Sequence, residues 1–283
     1  MAQDFGQLAP PAHRVWDRGG ARPVLALHCS LAHSGAWSGV AAHLTGVTIT
    51  APDLPGHGRA PDWDGVTDLH ALTTDQCIAL AKAVGGGAPV DLLGHSFGAT
   101  VALRMALERP DLVRSLVLIE PPLFAAARAA GAAAFGPFRD HHLLVSQALA
   151  EGRRVEAASM FHATWGNGGR FADLPDRQQR YMVDRIHLIA AQNAFLLNDA
   201  ANLLRVTGLE GVDVPVLMVE GAASPAIVRA VQDEIARRLP DVSRLVVPDA
   251  GHMVPISHPQ AVALAITDHL ARSQRVSADY NFV

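Results

Sequence analysis

Residues 90–98 read VDLLGHSFG, and they indicate the fold more directly than any other part of the chain. The first four residues form a short, mostly apolar run typical of a buried strand, and residues 97–108 have the apolar spacing of a helix. Ser96 therefore lies on a sharp strand-to-helix turn between Gly94 and Gly98, where a Cβ at either glycine would crowd the backbone. The helix start also directs backbone N–H groups toward any negative charge that develops beside Ser96.

Short apolar runs of the same kind alternate with helical segments along much of the chain. Strands are predicted at residues 24–27, 47–50, 90–93, 116–119, 216–219 and 245–247, and helices at 75–84, 97–108, 226–239 and 260–270. Strands buried on both faces and joined by helices form parallel sheets with right-handed crossovers. The sequence therefore predicts an α/β fold, with a mostly parallel twisted sheet and flanking helices.

Residues 122–212 interrupt this alternation, because no convincing strand is found in them. Amphipathic stretches at 140–150, 155–164 and 177–201 favour helices, separated by Gly and Pro. We expect a helical cap, called the helical insertion below, set into a core formed by residues 1–121 and 213–283. A series of ordinary long crossover connections is the alternative, although structureless loops of that length are rare.

Composition narrows the classes of function. The 283 residues carry 23 basic and 27 acidic side chains, a net charge of −4 spread in both signs, which argues against nucleic acid and anionic membrane surfaces as partners. No apolar run approaches the roughly 18 residues of a membrane helix. Residues 1–7 lack a secretory signal pattern, and the two cysteines form no CxxC pair, so a cytoplasmic location is favoured. A homodimer is left open.

Four motifs occur in a fixed order, three after the first three predicted strands and one after the last. They are HCSL at 28–31, DLPGHGR at 53–59, GHSFG at 94–98 and AGHM at 250–253. Together they resemble the α/β-hydrolase fold family over residues 24 to about 270. The resemblance implies that Ser96 is a nucleophile and His252 its general base, since the family order is serine, acid, histidine. A serine hydroxyl needs such a base within hydrogen-bond reach. Among the other histidines, His141 and His142 are interpreted as solvated helix residues.

The resemblance also implies an oxyanion hole made of two backbone N–H groups. One belongs to Phe97, the residue after the nucleophile, and matching the 28–31 motif to the family pattern makes Ser30 the other. Cys29 stands where the family usually has glycine, which puts the conformation of this loop, and with it the assignment of Ser30, in question.

The acid of the triad is less clearly marked. Its usual place in the family follows the strand after the insertion, where residues 221–225 read GAASP without a carboxylate. Glu120, at the end of the strand that follows the helix at 97–108, is the preferred candidate, because strand ends face the same edge of the sheet. Glu220 is the second candidate, and a chain that lacks the acid is the third.

The favoured function is hydrolysis of carboxylic esters or related small, largely apolar acyl compounds through an acyl-enzyme. Trp37, Phe124 and Trp165 are the predicted pocket residues. C–C bond hydrolysis, lactone opening and haloperoxidase-type activity share this machinery and stay open, as does a catalytically silent, ligand-binding member. No metal is expected without a metal-ligand motif, and no dinucleotide cofactor, because the glycines at 85–87 precede a strand.

Overall fold

The computed structural model describes the backbone of residues 11–279 and the side chains of residues 11–273. Residues 1–7, interpreted above as lacking a secretory signal, lie outside the described residues. The strands are β1 (His13–Asp17), β2 (Arg22–Leu27), β3 (Val47–Pro52), β4 (Val90–His95), β5 (Val113–Ile119), β6 (Val216–Gly221) and β7 (Val242–Val247). They form one sheet in the order β1-β3-β2-β4-β5-β6-β7. β1 pairs antiparallel with β3, and every other pairing is parallel.

The six strands expected from the sequence are present, and β1 is an additional edge strand. Its sequence, HRVWD, is mostly exposed and carries the charged residues Arg14 and Asp17, so it lacks the apolar run by which a buried strand is recognised. A polar strand at an edge also discourages pairing with another chain. The predicted mostly parallel α/β sheet is therefore confirmed, with one antiparallel strand added.

Helices cover both faces of the sheet. Their bounds are α1 (Ser38–His43), α2 (Leu69–Gly85), α3 (Phe97–Glu108), α4 (Phe124–Ala129), α5 (Phe135–Ala150), α6 (Arg154–Trp165), α7 (Asp176–Arg185), α8 (His187–Ala191), α9 (Asn193–Asn198), α10 (Ala226–Arg238), α11 (Val254–Ser257) and α12 (Pro259–Asp279). One apolar cluster joins α2, α3 and α10 to the sheet through residues such as Leu80 and Met105. A second cluster joins α1 and α12 to the opposite face through Val40 and Ile266.

Helices α4 to α9 occupy the helical insertion between β5 and β6, where helical structure is expected. Part of it has an apolar cluster of its own, which includes Val145, Ala158 and Ile186. The stretch 177–201, expected as one helix, is divided at Ile186 and Gln192 into α7, α8 and α9. Whether residues 122–212 act as a separate cap domain stays a prediction.

Candidate active site

The turn between β4 and α3 holds Ser96 in an uncommon backbone conformation, with φ 52° and ψ −121°. A non-glycine residue with positive φ is strained, and such strain is concentrated at functional sites. A Cβ added to Gly94 would lie 2.4 Å from the Cα of Ala99, and one added to Gly98 would lie 2.3 Å from the carbonyl oxygen of Leu27. Both contacts are with backbone, so close packing requires glycine on either side of Ser96, as the sequence predicts.

Three side chains from separate loops form a hydrogen-bonded chain at the carboxyl edge of the sheet. His252 Nε2 lies 3.0 Å from the hydroxyl oxygen of Ser96, and His252 Nδ1 lies 2.6 Å from Oε2 of Glu120. All three residues are buried, and Glu120 is only 1% exposed. With its proton on Nδ1, the ring donates to Glu120 and can accept the proton of Ser96, which is the arrangement that activates a serine.

The Glu120 carboxylate has further donors besides His252. Oε1 accepts the backbone N–H of Gly221 at 2.7 Å and the hydroxyl of Ser224 at 2.5 Å. Burial alone would raise the pKa of Glu120, but the hydrogen bonds from His252, Gly221 and Ser224 outweigh burial and lower it. Glu120 is therefore ionised at neutral pH. The turn after β6 has no carboxylate, but its residues Gly221 and Ser224 donate hydrogen bonds to the carboxylate of Glu120, which follows β5.

Glu220, the second candidate for the acid, has different partners. Its Oε1 lies 3.0 Å from a guanidinium nitrogen of Arg229 on α10 and 3.5 Å from one of Arg244 on β7. Burial raises the pKa of Glu220, and the two arginines offset part of that effect. The structure thus brings Glu120 to His252, while Glu220 forms ion pairs on the other side of β6.

The two predicted oxyanion donors lie at the start of α3 and on the loop after β2. Phe97 is the first residue of α3, and the carbonyl of Ser96 accepts from Ala99 and Thr100 in the next turn. Its N–H belongs to the donors that a helix start leaves without an intrahelical partner. Ser30 follows β2 and borders the same cavity as Ser96.

Buried imidazoles hold the loop that carries Ser30. His28 Nδ1 donates to the carbonyl of Cys29 at 2.8 Å, and its Nε2 accepts the N–H of Leu54 at 3.0 Å. Burial, assisted by neighbouring His57, lowers the pKa of His28 to about 3, so the ring is neutral, as this pair of bonds requires. Burial raises the pKa of the Cys29 thiol to about 12, so it is not a thiolate. Cys29 packs within the loop and is not among the residues that line the cavity.

A narrow cavity opens onto Ser96 and His252 between the sheet edge and the helical insertion. Its other lining residues are Ser30, Pro122, Phe124, His142, Phe161, Trp165, Ile189, Gln192 and Leu196. The Trp165 ring approaches the His252 ring edge to face, with centroids 4.6 Å apart. Within residues 11–273, no group of three or more His, Cys, Asp or Glu side chains is placed to hold a metal ion.

Comparison with known proteins identifies the family. Residues 22–259 match the family model described as alpha/beta hydrolase fold. The chain belongs to the alpha/beta hydrolase fold family. Over the described part of this alpha/beta hydrolase, no helix has the length and apolarity needed to cross a membrane.

Curated relatives and solved structures agree with this assignment. The chain is 31% identical over 238 residues to the pimeloyl-(acyl-carrier protein) methyl ester esterase of Neisseria meningitidis serogroup B, covering 78% of this chain and 81% of that one. It is 43% identical to Lipase LipV of Mycobacterium tuberculosis over 101 residues, or 35% of this chain and 36% of LipV. MenH from S. aureus has the same fold, with a TM-score of 0.71, 15% identity, and coverage of 93% of this chain and 99% of MenH.

The cavity of this alpha/beta hydrolase corrects two expectations. Phe124 and Trp165 line it, but Trp37, the third predicted pocket residue, does not. Trp37 is 2% exposed and packs with Val40 in the apolar cluster on the face of the sheet that α1 and α12 cover. It lies there because α1 begins at the next residue and packs against that face. His142, interpreted from the sequence as a solvated helix residue, is buried and lines the cavity. Its spacing from Phe138 and Val145 on the inner face of α5 is the signal that could have found it.

Sequence reasoning also missed Ser224 and Gln192. The sequence marks Ser224 only as a place where a carboxylate is absent, and its hydroxyl proves to be a hydrogen-bond donor to Glu120. Gln192 lies in a stretch predicted as one amphipathic helix, and the polar pair Gln192 and Asn193 within the apolar run from Ile189 to Leu196 was the available signal.

Buried neutral histidines make the stability of this hydrolase dependent on pH. Burial lowers the pKa of His28 and His95 to about 3 and that of His57 to about 4, against about 6.5 in the unfolded chain. As pH falls below 6.5 the unfolded chain binds protons that the folded chain excludes, so stability is lost. At pH 5 we expect a loss of about 2 kcal/mol per histidine, a large part of the roughly 5–15 kcal/mol of a typical domain. Urea unfolding followed by tryptophan fluorescence at neutral pH and near pH 5 measures this.

The matched variants are His57→Leu and His43→Gln. Since His57 is buried and His43 is exposed, His57→Leu should reduce the pH slope by about one proton and His43→Gln should leave it unchanged. Equal slopes in all three proteins would show that the buried histidines do not cause the acid sensitivity.

Proposed function

We propose that this alpha/beta hydrolase is a serine hydrolase of carboxylic esters with small to medium, largely apolar acyl groups. The observation that carries the proposal is the hydrogen-bonded chain from Ser96 through His252 to Glu120, which opens onto a mainly apolar cavity. Two relatives have names that describe ester or lipid hydrolysis, which supports the same class of reaction.

The mechanism follows from the positions of these groups. Ser96 Oγ attacks the ester carbonyl while His252 Nε2 takes its proton, and Glu120 stabilises the imidazolium that forms. The backbone N–H groups of Phe97 and Ser30 hold the negatively charged carbonyl oxygen. His252 then protonates the departing alcohol, which leaves the acyl group on Ser96. Water, deprotonated by His252, attacks this acyl-enzyme, and the carboxylic acid is released as the proton returns to Ser96.

The helical insertion contributes most of the cavity wall, which supports the proposal that residues 122–212 act as a cap over a core of residues 1–121 and 213–283. Phe124, Phe161, Trp165, Ile189 and Leu196 give it an apolar surface. Apolar contact holds an acyl chain, and the narrowness of the cavity favours short and medium chains over long ones.

The catalytically silent alternative is weakened, because it depended on the absence of an acid. Glu120, with its pKa lowered and its Oε2 bonded to His252, supports the proposal that the chain has this acid. C–C bond hydrolysis, lactone opening and haloperoxidase-type activity use the same residues, so the distinction has to come from substrates.

Labelling with a fluorophosphonate and a panel of p-nitrophenyl esters of varied chain length test the proposal. We expect one serine to be labelled, on the peptide that contains Ser96, and the highest kcat/KM for short or medium acyl chains. A lactone and a vinylogous diketone belong in the same panel. Absence of both labelling and ester turnover would overturn the proposal, and faster turnover of the lactone or diketone would replace it with the corresponding alternative.

A further inference from the structure

One polar side chain in the cavity has an atom that the proposed mechanism does not use. Gln192 lies between α8 and α9, is only 2% exposed, and lines the cavity with Ser96 and His252. Its Oε1 accepts a hydrogen bond from the hydroxyl of Ser30 at 3.0 Å. Its amide nitrogen, Nε2, is buried and has no hydrogen-bond partner among the described residues.

A structural role accounts for only half of this side chain. The bond from Ser30 fixes the loop that carries the proposed oxyanion donor, but it uses Oε1 alone. The backbone of Gln192 serves the helix ends, with its carbonyl accepting from Phe195 and Leu196, as any residue could. Because nearly all buried polar groups in folded proteins are paired, an unpaired amide donor beside the nucleophile indicates a ligand that accepts from it.

The charges of the other cavity-lining residues indicate whether the ligand's acceptor is charged or neutral. None of the described residues that line it is Arg or Lys. Burial lowers the pKa of His142, and its Nε2 donates to Asn193 Oδ1 at 2.8 Å, because the Asn193 amide nitrogen donates to Ser146. His142 is therefore neutral and supplies no positive charge. A carboxylate bound at Nε2 would be buried without a cation, which is unfavourable, whereas a carbonyl oxygen would not.

We propose that Gln192 determines substrate specificity, by donating from Nε2 to a neutral hydrogen-bond acceptor within an otherwise apolar substrate. The substrate class is an ester whose chain carries a keto or amide carbonyl, on either its acyl or its alcohol side. This inference rests on the ester hydrolysis proposed above. It adds a requirement that apolar lining alone does not impose, since a site built around a buried donor discriminates against analogues that lack the acceptor.

Paired substrates test the inference. One set consists of p-nitrophenyl esters of a medium-chain acid and of the same acid with a keto group moved along the chain. The other consists of butyrate esters of a plain alcohol and of the matching keto alcohol. We expect at least one keto ester to exceed its plain partner in kcat/KM by about tenfold, mainly through KM, which corresponds to one buried hydrogen bond. The set in which the preference occurs identifies the side of the ester that meets Gln192.

The variants Gln192→Leu, Gln192→Glu and Ile189→Leu separate specificity from packing. Gln192→Leu removes the donor, and Gln192→Glu replaces it with an acceptor, so both should abolish the keto preference. Ile189→Leu changes another lining residue and should preserve that preference. Ser30→Ala removes the bond to Oε1 and keeps Nε2, so it should change the rates of both partners of a pair by the same factor.

The outcomes distinguish this inference from the proposal on which it depends. If the wild type hydrolyses none of the esters, ester hydrolysis itself is wrong and the assignment of Gln192 is overturned with it. If plain esters are hydrolysed but the keto-to-plain ratio is the same in wild type and Gln192→Leu, Gln192 only supports Ser30 and the inference is wrong. A preference that Gln192→Glu retains or increases would also overturn it, because the substrate would then be a donor.

Discussion

Replacement of Ser96 with alanine is expected to lower kcat for p-nitrophenyl butyrate by about 10⁵- to 10⁶-fold, close to the background of a site without its nucleophile. The variant removes one oxygen, whose hydrogen-bond partner is His252 Nε2. It keeps a Cβ at φ 52°, so the backbone meets the same strain as in the wild type. The fold should therefore persist, which near-UV circular dichroism can check, and fluorophosphonate labelling should disappear.

A second variant, His252→Ala, and the double variant separate a catalytic unit from two independent effects. Residues that act together in one proton transfer show non-additive losses. We therefore expect Ser96→Ala, His252→Ala and the double variant to have rates within about tenfold of one another. A Ser96→Ala variant that retains even a tenth of the wild-type rate would assign nucleophilic attack to a different group.

The central strands of the sheet were predictable because they are buried on both faces and leave apolar runs bounded by Gly, Pro or charge. β1 was missed because it is an exposed edge strand without such an apolar run, and pairing with β3 holds it in the sheet. α2 begins at Leu69, six residues before the expected start at 75, because Asp68 accepts the N–H of Ala71 and caps the helix. Such a cap depends on a local backbone turn that the apolar pattern does not reveal.

The site was predictable where a residue type and a turn geometry coincide, as at Ser96. Trp37 shows the limit of this reasoning, because an aromatic residue after a strand can turn to either face of the sheet. Gln192 shows another limit, since its position depends on the break between α8 and α9 in a stretch that reads as one helix. Spacing along the chain alone does not determine the direction in which the side chain of Trp37 or of Gln192 points.

Sequence spacing also left the choice between Glu120 and Glu220 open, because it does not determine the direction of either side chain. Both are carboxylates at the ends of adjacent parallel strands. Glu120 follows β5 with φ 47°, a conformation that turns it out of the strand toward His252. Glu220 lies inside β6, paired in register with Val246, and its side chain meets the arginines of α10 and β7.

Glu120→Gln is accordingly expected to lower kcat by about 10⁴-fold, and Glu220→Gln by less than about threefold. The amide oxygen that the first substitution introduces could still accept from Gly221 and Ser224, so the fold is kept, but no anion remains beside His252 Nδ1. The imidazolium then loses its stabilisation, and the ring is free to adopt the wrong tautomer. Glu220→Gln breaks ion pairs with Arg229 and Arg244, which should lower the urea midpoint instead of the rate.

The pH dependence sharpens this comparison. Because hydrogen bonds hold the pKa of Glu120 below its usual range, its stabilising effect is present above the unfolded-state pKa and is lost only as pH falls through the lower, folded-state value. The wild type should therefore keep Glu120 ionised at neutral and mildly acidic pH, so loss of the Glu120 charge should not contribute to the acid limb of kcat. Measured kcat and urea midpoints for both variants decide the assignment. A larger rate loss in Glu220→Gln would move the acid to β6, and equal small losses would mean that His252 works without an anionic partner.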